Sequence, residues 1–175
     1  MFDVKTTAQP TTWPVTLAEV KAHLHITDTD NDTQLTALYK QVTKEVEGYC
    51  GIAIGTQTKV WTFDFCAGVE RTIPYGPVAS ITTVEQKTAI NNYVALVVNT
   101  SYELSGESIK SINVFTGGRC KITYVTGTDP VDEDLKLGIL NEVAYRYENR
   151  GDEKKDGWSI EAWGLIIRHK DFNWE

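Results

Sequence analysis

The hydrophobic period changes twice along this chain, and those changes limit the folds open to it. Leu35, Leu38, Tyr39, Val42, Val46 and Tyr49 recur at three- and four-residue steps. That spacing gathers side chains on one face of a helix. Trp61, Phe63 and Phe65 then alternate with Val60, Thr62 and Asp64, the two-residue period of a half-buried strand. After Pro130 the four-residue step returns in Leu135, Ile139, Val143 and Tyr147, with Leu140 and Ala144 widening the face. Strands grouped inside a helical frame belong to the α+β class. The expected form is a small, mostly α, helical bundle with an inserted antiparallel β block and extended terminal arms.

Local signals set the boundaries. Residues 1–14 are polar, contain Pro10 and Pro14, and show no period, so they read as an N-terminal arm. Thr16 and Glu19 form a capping-box pattern ahead of Leu17, Val20 and Leu24, which predicts a helix over 16–26. A second helix is expected over 31–50, stopped by Gly51. The β insertion spans 56–126. Within it, Gly76-Pro77 marks a turn before a strand at 78–84. The continuously apolar stretch 93–98 reads as a strand covered on both faces. Residues 112–115 and 119–125, around Gly117-Gly118, read as a hairpin with Cys120, Ile122 and Tyr124 on one face. A last helix is expected over 131–150, with Asp132, Glu133 and Asp134 in the first turn, where they meet the positive end of the helix dipole.

These elements make one domain over 15–151, followed by a linker and tail over 152–175. The linker, 152–157, is charged and ends in glycine, which suits a hinge. Beyond it Ser159 is placed to cap a short helix. Trp158, Trp163, Ile166, Ile167, Phe172 and Trp174 then concentrate apolar surface, with Ile160 on the same side as Trp163. Such a segment either folds back on its own core or docks into a partner, where aromatic side chains make effective anchors. The docking reading gives the tail a basic patch, Arg168, His169 and Lys170, to meet an acidic rim.

No constellation for chemistry emerges. Asp28, Asp30 and Asp32 open like a calcium loop, but Thr33 stands at the glycine position and Tyr39 at the bidentate glutamate position. His23 and His25 diverge on a helix, His169 stands alone, and Cys50, Cys66 and Cys120 lack zinc spacing. No G-x-S-x-G elbow is present, and Gly117-Gly118 is not a phosphate loop. No catalytic residue, metal or cofactor is therefore expected. The net charge of −7 argues against tight DNA binding, which needs a basic stripe to neutralise phosphates. The second helix has only Lys40 and Lys44 as basic residues, poor equipment for a DNA-binding regulator. No apolar run is long enough to span a bilayer, and residues 1–14 lack a signal-peptide core. The chain is expected to be made and kept in a cytoplasm.

The residues do match one known pattern. PVTLAEVKAHLHI at 14–26, the run 32–54 ending in EGYCGIAI, TQTKVWTF, IPYGPVASITTVE, CKITYVTGT and VDEDLKLGILNEVAYRYENRG are similar, in that order, to head–tail connector (adaptor, head-completion) proteins of tailed bacteriophages. The resemblance covers about 14–151, and the stretch between Val84 and Ile112 departs from it. It implies a structural subunit of the virion neck, assembled in the host cytoplasm and not an enzyme. It also implies a closed, dodecameric ring beneath the portal protein that extends the DNA channel and carries stopper or tail proteins. Genomic DNA would pass without specific binding, and no membrane is involved. On this reading the tail residues Trp158, Trp163, Ile166, Ile167, Phe172 and Trp174 dock to the portal. The alternatives are another neck component, such as a stopper or tail-completion protein, and the DNA-binding regulator already weighed.

Overall fold

The first residues do not form a free arm. In the computed structural model, which describes residues 3–10, 12–65, 69–89, 92–112, 118–150 and 158–170, Asp3–Ala8 is strand β1. It runs antiparallel to β2 (Gln57–Phe65), with Val4 opposite Trp61. Only Val4 and Thr6 are partly buried in this strand. A sheet edge with one covered face needs little apolar sequence, so no period announces it.

The helices follow the sequence closely. Helix α1 (Leu17–His23) opens on a complete capping box. Thr16 Oγ1 accepts from the Glu19 N–H at 3.2 Å, and Glu19 Oε2 accepts from the Thr16 N–H at 2.6 Å. Helix α2 (Asp32–Cys50) ends at Gly51, whose φ of 71° is the left-handed conformation that glycine adopts without strain. Helix α3 (Glu133–Glu148) is capped by Asp132, which accepts from the Asp134 N–H at 2.9 Å. Ser159 caps α4 (Ile160–Ile166), which continues into a single 3₁₀ turn, Ile167–His169.

The strands form two antiparallel sheets. Beyond β1 and β2, the chain adds β3 (Glu70–Thr72), β4 (Val78–Ala89), β5 (Asn92–Ala95), β6 (Tyr102–Ser105), β7 (Ser108–Ser111) and β8 (Gly118–Thr126). The larger sheet has the order β1-β2-β8-β4-β5 and the smaller β3-β7-β6. Helix and strand are present in near-equal share, which corrects the expectation of a mostly α bundle. The β block is no appendage. Trp61, Phe63, Ile73, Val84, Tyr102, Ile109, Cys120, Ile122 and Tyr124 build a second core of their own.

Two strand expectations are also corrected. The expected hairpin is absent over 119–125, because β8 pairs with β2 on one side and β4 on the other. Central position, not a hairpin turn, explains why Cys120, Ile122 and Tyr124 share a buried face. Residues 113–117, including the expected turn at Gly117, lie outside the described residues. The stretch 93–98 is not covered on both faces. Its strand, β5, is an edge, and Val94 and Val97 are 51% and 60% exposed.

The helices enclose the other core, centred on Val20, Leu35, Val42, Val46, Leu135, Ile139, Val143 and Ile166. A polar junction joins the halves. Glu47, on α2, accepts from the Ile54 N–H at 2.7 Å and from the buried Gln57 amide at the start of β2. Ala53 N–H donates to Gly76 O at 3.1 Å. Gly55 and Gly127 cross so closely that a Cβ on Gly127, at φ 110°, would overlap the Gly55 carbonyl.

Candidate interaction surface

Helix α4 is held along α3 by shape and by charge. Gly138 supplies the shape, since a Cβ there would stand 3.0 Å from Ile166 Cγ1. Ala162 and Ile166, four residues apart, turn into the helical core and are fully buried. Glu142 supplies the charge. Its side chain is buried, yet both oxygens are satisfied: Arg146 Nε donates at 2.7 Å and the Ser159 N–H at 2.9 Å. Arg146 also reaches Glu45 on α2 at 2.7 Å. A buried carboxylate is tolerable only when paired and hydrogen-bonded in this way. The network ties α2, α3 and α4 together.

On the outer side of α4 an aromatic ridge remains. Tyr49 lies 5.0 Å from Trp163 and 6.3 Å from Trp158, ring centre to ring centre. Lys170 Nζ stands 5.3 Å over Tyr49, and the Arg146 guanidinium 5.5 Å over Trp158. Trp163 is 40% exposed and Ile160, one turn before it, 87% exposed. Chemically, this is an apolar ridge flanked by cations, suited to anchoring a protein partner rather than to a reaction.

The expected docking residues divide accordingly. Trp158 and Ile167 are partly buried, Trp163 is exposed, and Ile166 belongs to the chain's own core. Phe172 and Trp174, and the linker 152–157, lie outside the described residues. The basic patch is partly used within the chain: Arg168 pairs with Asp134 at 3.4 Å and His169 lies 3.9 Å from Asp132. Sequence reading missed Tyr49 as a member of the ridge and Glu142 as its clamp. Glu142 and Arg146 at i, i+4 were the available signal.

The other candidates have structural parts. Asp28 Oδ1 accepts from the Asp30 N–H at 3.2 Å, and Asp32 pairs with Lys21 at 2.7 Å. Among the described residues no group of His, Cys, Asp or Glu gathers as a metal site, and no helix is long and apolar enough to cross a membrane. Cys50 and Cys120 are buried and free, and burial pushes each thiol up to about 11. Cys66 lies outside the described residues.

The head completion protein family model matches residues 15–159, most of the chain. The chain belongs to the head completion protein family. The match runs from just before the α1 cap through Ser159, so it takes in the buried residues of the strand core and those of the helical core except Ala162 and Ile166, and stops where α4 begins. Its role is therefore structural, in head completion. The fold of this head completion protein recurs in solved particles of a gene transfer agent (GTA). In the neck of the empty GTA particle, computed with C6 symmetry, a chain 20% identical aligns with a TM-score of 0.75, covering 97% of this chain and 95% of that one. The native GTA virion holds a chain 19% identical, with a TM-score of 0.75 and coverage of 95% and 94%. The neck of the native particle, computed with C12 symmetry, gives 22% identity, a TM-score of 0.72, and 97% and 94% coverage. No curated protein matches the sequence significantly.

Proposed function

We propose that this head completion protein is a ring-forming adaptor of the virion neck, at the capsid–tail junction. It binds beneath the portal, extends the DNA channel and offers a platform for stopper or tail proteins. The observation that carries this reading is the family match over 15–159. The shared fold with subunits of sixfold and twelvefold necks supports a ring, dodecameric by resemblance. A closed ring uses a heterologous contact, in which one patch meets a different patch on the next copy.

The ridge on α4 is the portal-docking element in this proposal. Trp163 is the anchor, Ile160 widens the apolar face, and Trp158 and Ile167 support it from below. Phe172 and Trp174 stay in the proposal as the end of the same segment. Ile166 drops out, because its side chain is already covered by the helical core. The net charge of −7 suits a channel wall that DNA slides past, since carboxylates repel phosphate and forgo the counterion release that makes DNA adhere. Cryo-microscopy of the purified chain mixed with its portal tests the proposal. A ring seated on the portal, with α4 at the contact, is the expected image. A single asymmetric copy per neck refutes it.

A further inference from the structure

The larger sheet ends in two different edges. Its order, β1-β2-β8-β4-β5, is antiparallel at every step, so β1 and β5 run in the same direction. Four strand spacings of about 4.8 Å separate them, so they lie on opposite sides of the subunit. Among the described residues, β1 pairs only with β2, and β5 only with β4. Each edge therefore presents a row of backbone N–H and C=O groups without a strand partner, a template for another strand.

The two edges are both short. A register shift between Thr6 and Ala8 limits regular β1 geometry to Asp3–Thr6, and β5 spans only Asn92–Ala95, the shift in its pairing lying in β4 between Lys87 and Ala89. Their chemistry differs. Val94 is half exposed and Val97 follows it just beyond the strand, with no charged residue in β5. In β1, Lys5 and Asp3 pair with each other at 3.2 Å, leaving the edge self-neutralised. The apolar β5 edge and the polar β1 edge are unlike patches on opposite sides of the subunit, as a head-to-tail contact requires.

Resting on the ring reading above, we infer that neighbouring copies join by parallel pairing of β5 of one subunit with β1 of the next. This contact is heterologous, so it propagates around a ring, whereas β5 meeting β5 would stop at a dimer. The short regular windows keep each contact weak. Free subunits then stay separate, and the portal, by holding copies side by side, raises their effective concentration enough to close the ring.

The test uses the full chain assembled on its portal. Lys5→Cys and Ala95→Cys, which the strand registers place on one face of the sheet, are combined in one chain, with Asp3→Cys plus Ala95→Cys as the next register on that face. All three side chains are exposed, so the subunit should fold. Oxidation is expected to give a ladder of cross-linked oligomers, absent from each single variant. Val94→Lys, which blunts the edge, should lose the ring while keeping the subunit's thermal midpoint and its capture by portal. Intact rings from Val94→Lys together with no ladder in either register overturn the strand pairing alone. A wild-type chain that binds portal without forming a ring overturns the ring reading as well.

Discussion

Glu142→Ala deletes a carboxylate on which three helices depend. Arg146 Nε donates to it at 2.7 Å and the Ser159 N–H at 2.9 Å. Hydrogen bonds to a charged group contribute roughly 1.5–3 kcal/mol each, and a buried donor left without an acceptor costs about 1–3 kcal/mol. Arg146 keeps Glu45 and has 26% of its side chain exposed, so its share of the loss falls at the low end. The expected destabilisation is about 3 kcal/mol, in line with breaking a buried pair from one side. For a chain of this length that lowers the thermal midpoint by about 6–12 °C. Glu142→Gln retains an oxygen for the Ser159 N–H and should cost roughly half as much. Denaturant unfolding of the wild type and both variants gives the free energies, with equal slopes showing that the unfolded state is unchanged. A Glu142→Ala chain as stable as wild type refutes the view that this network holds α4 in place.

Three further outcomes are expected. Deleting residues 158–175 should lower the thermal midpoint, because Ala162 and Ile166 leave the helical core; Trp163→Ala should barely move it, yet weaken portal capture by about 2 kcal/mol in a binding titration. Thr16→Ala should cost about 1 kcal/mol near neutral pH. The Thr16 hydroxyl, then the Thr16 N–H, hold the Glu19 carboxyl below its usual range; a lowered folded value means the hydroxyl-to-carboxylate part of this stability is present above the ordinary carboxylate range and lost as pH falls through the lowered value, so the gap between the two chains should narrow in acid to the part carried by the Thr16 Oγ1 cap of the Glu19 N–H. Cys50 and Cys120, with thiols pushed up to about 11, should resist alkylation near neutral pH in the native state and react after unfolding, as read by mass spectrometry.

Where a periodic face meets a single core, the sequence speaks clearly. Leu35, Val42 and Val46 announce α2, and the Thr16–Glu19 box announces the start of α1, because each depends on neighbours in the chain. Strand β1 stays silent because its partner, β2, is some fifty residues away and its own exposed edge needs no apolar pattern. The run 93–98 misleads in the opposite sense: continuous apolar sequence looks like a covered strand, but β5 is an edge. In the tail, Ile160, Trp163, Ile166 and Ile167 suggest one apolar face. The residue that fixes the helix's rotation is small: Ala162, with Ile166, faces Gly138, while Ile160 turns to water. Glu142 is legible only in part: Arg146 at i, i+4 marks it as half of an ion pair, but nothing near it in sequence shows that it will also meet a helix cap seventeen residues later.

Two separate cores joined through Glu47, Gln57 and a glycine crossing also bear on inheritance. A substitution that alters the volume of one core is felt by side chains that the other core does not share, and effects at such distant sites add rather than multiply. Each half can therefore drift under its own pressures, the helices with whatever α4 touches and the strands with whatever their edges meet, provided the junction is kept.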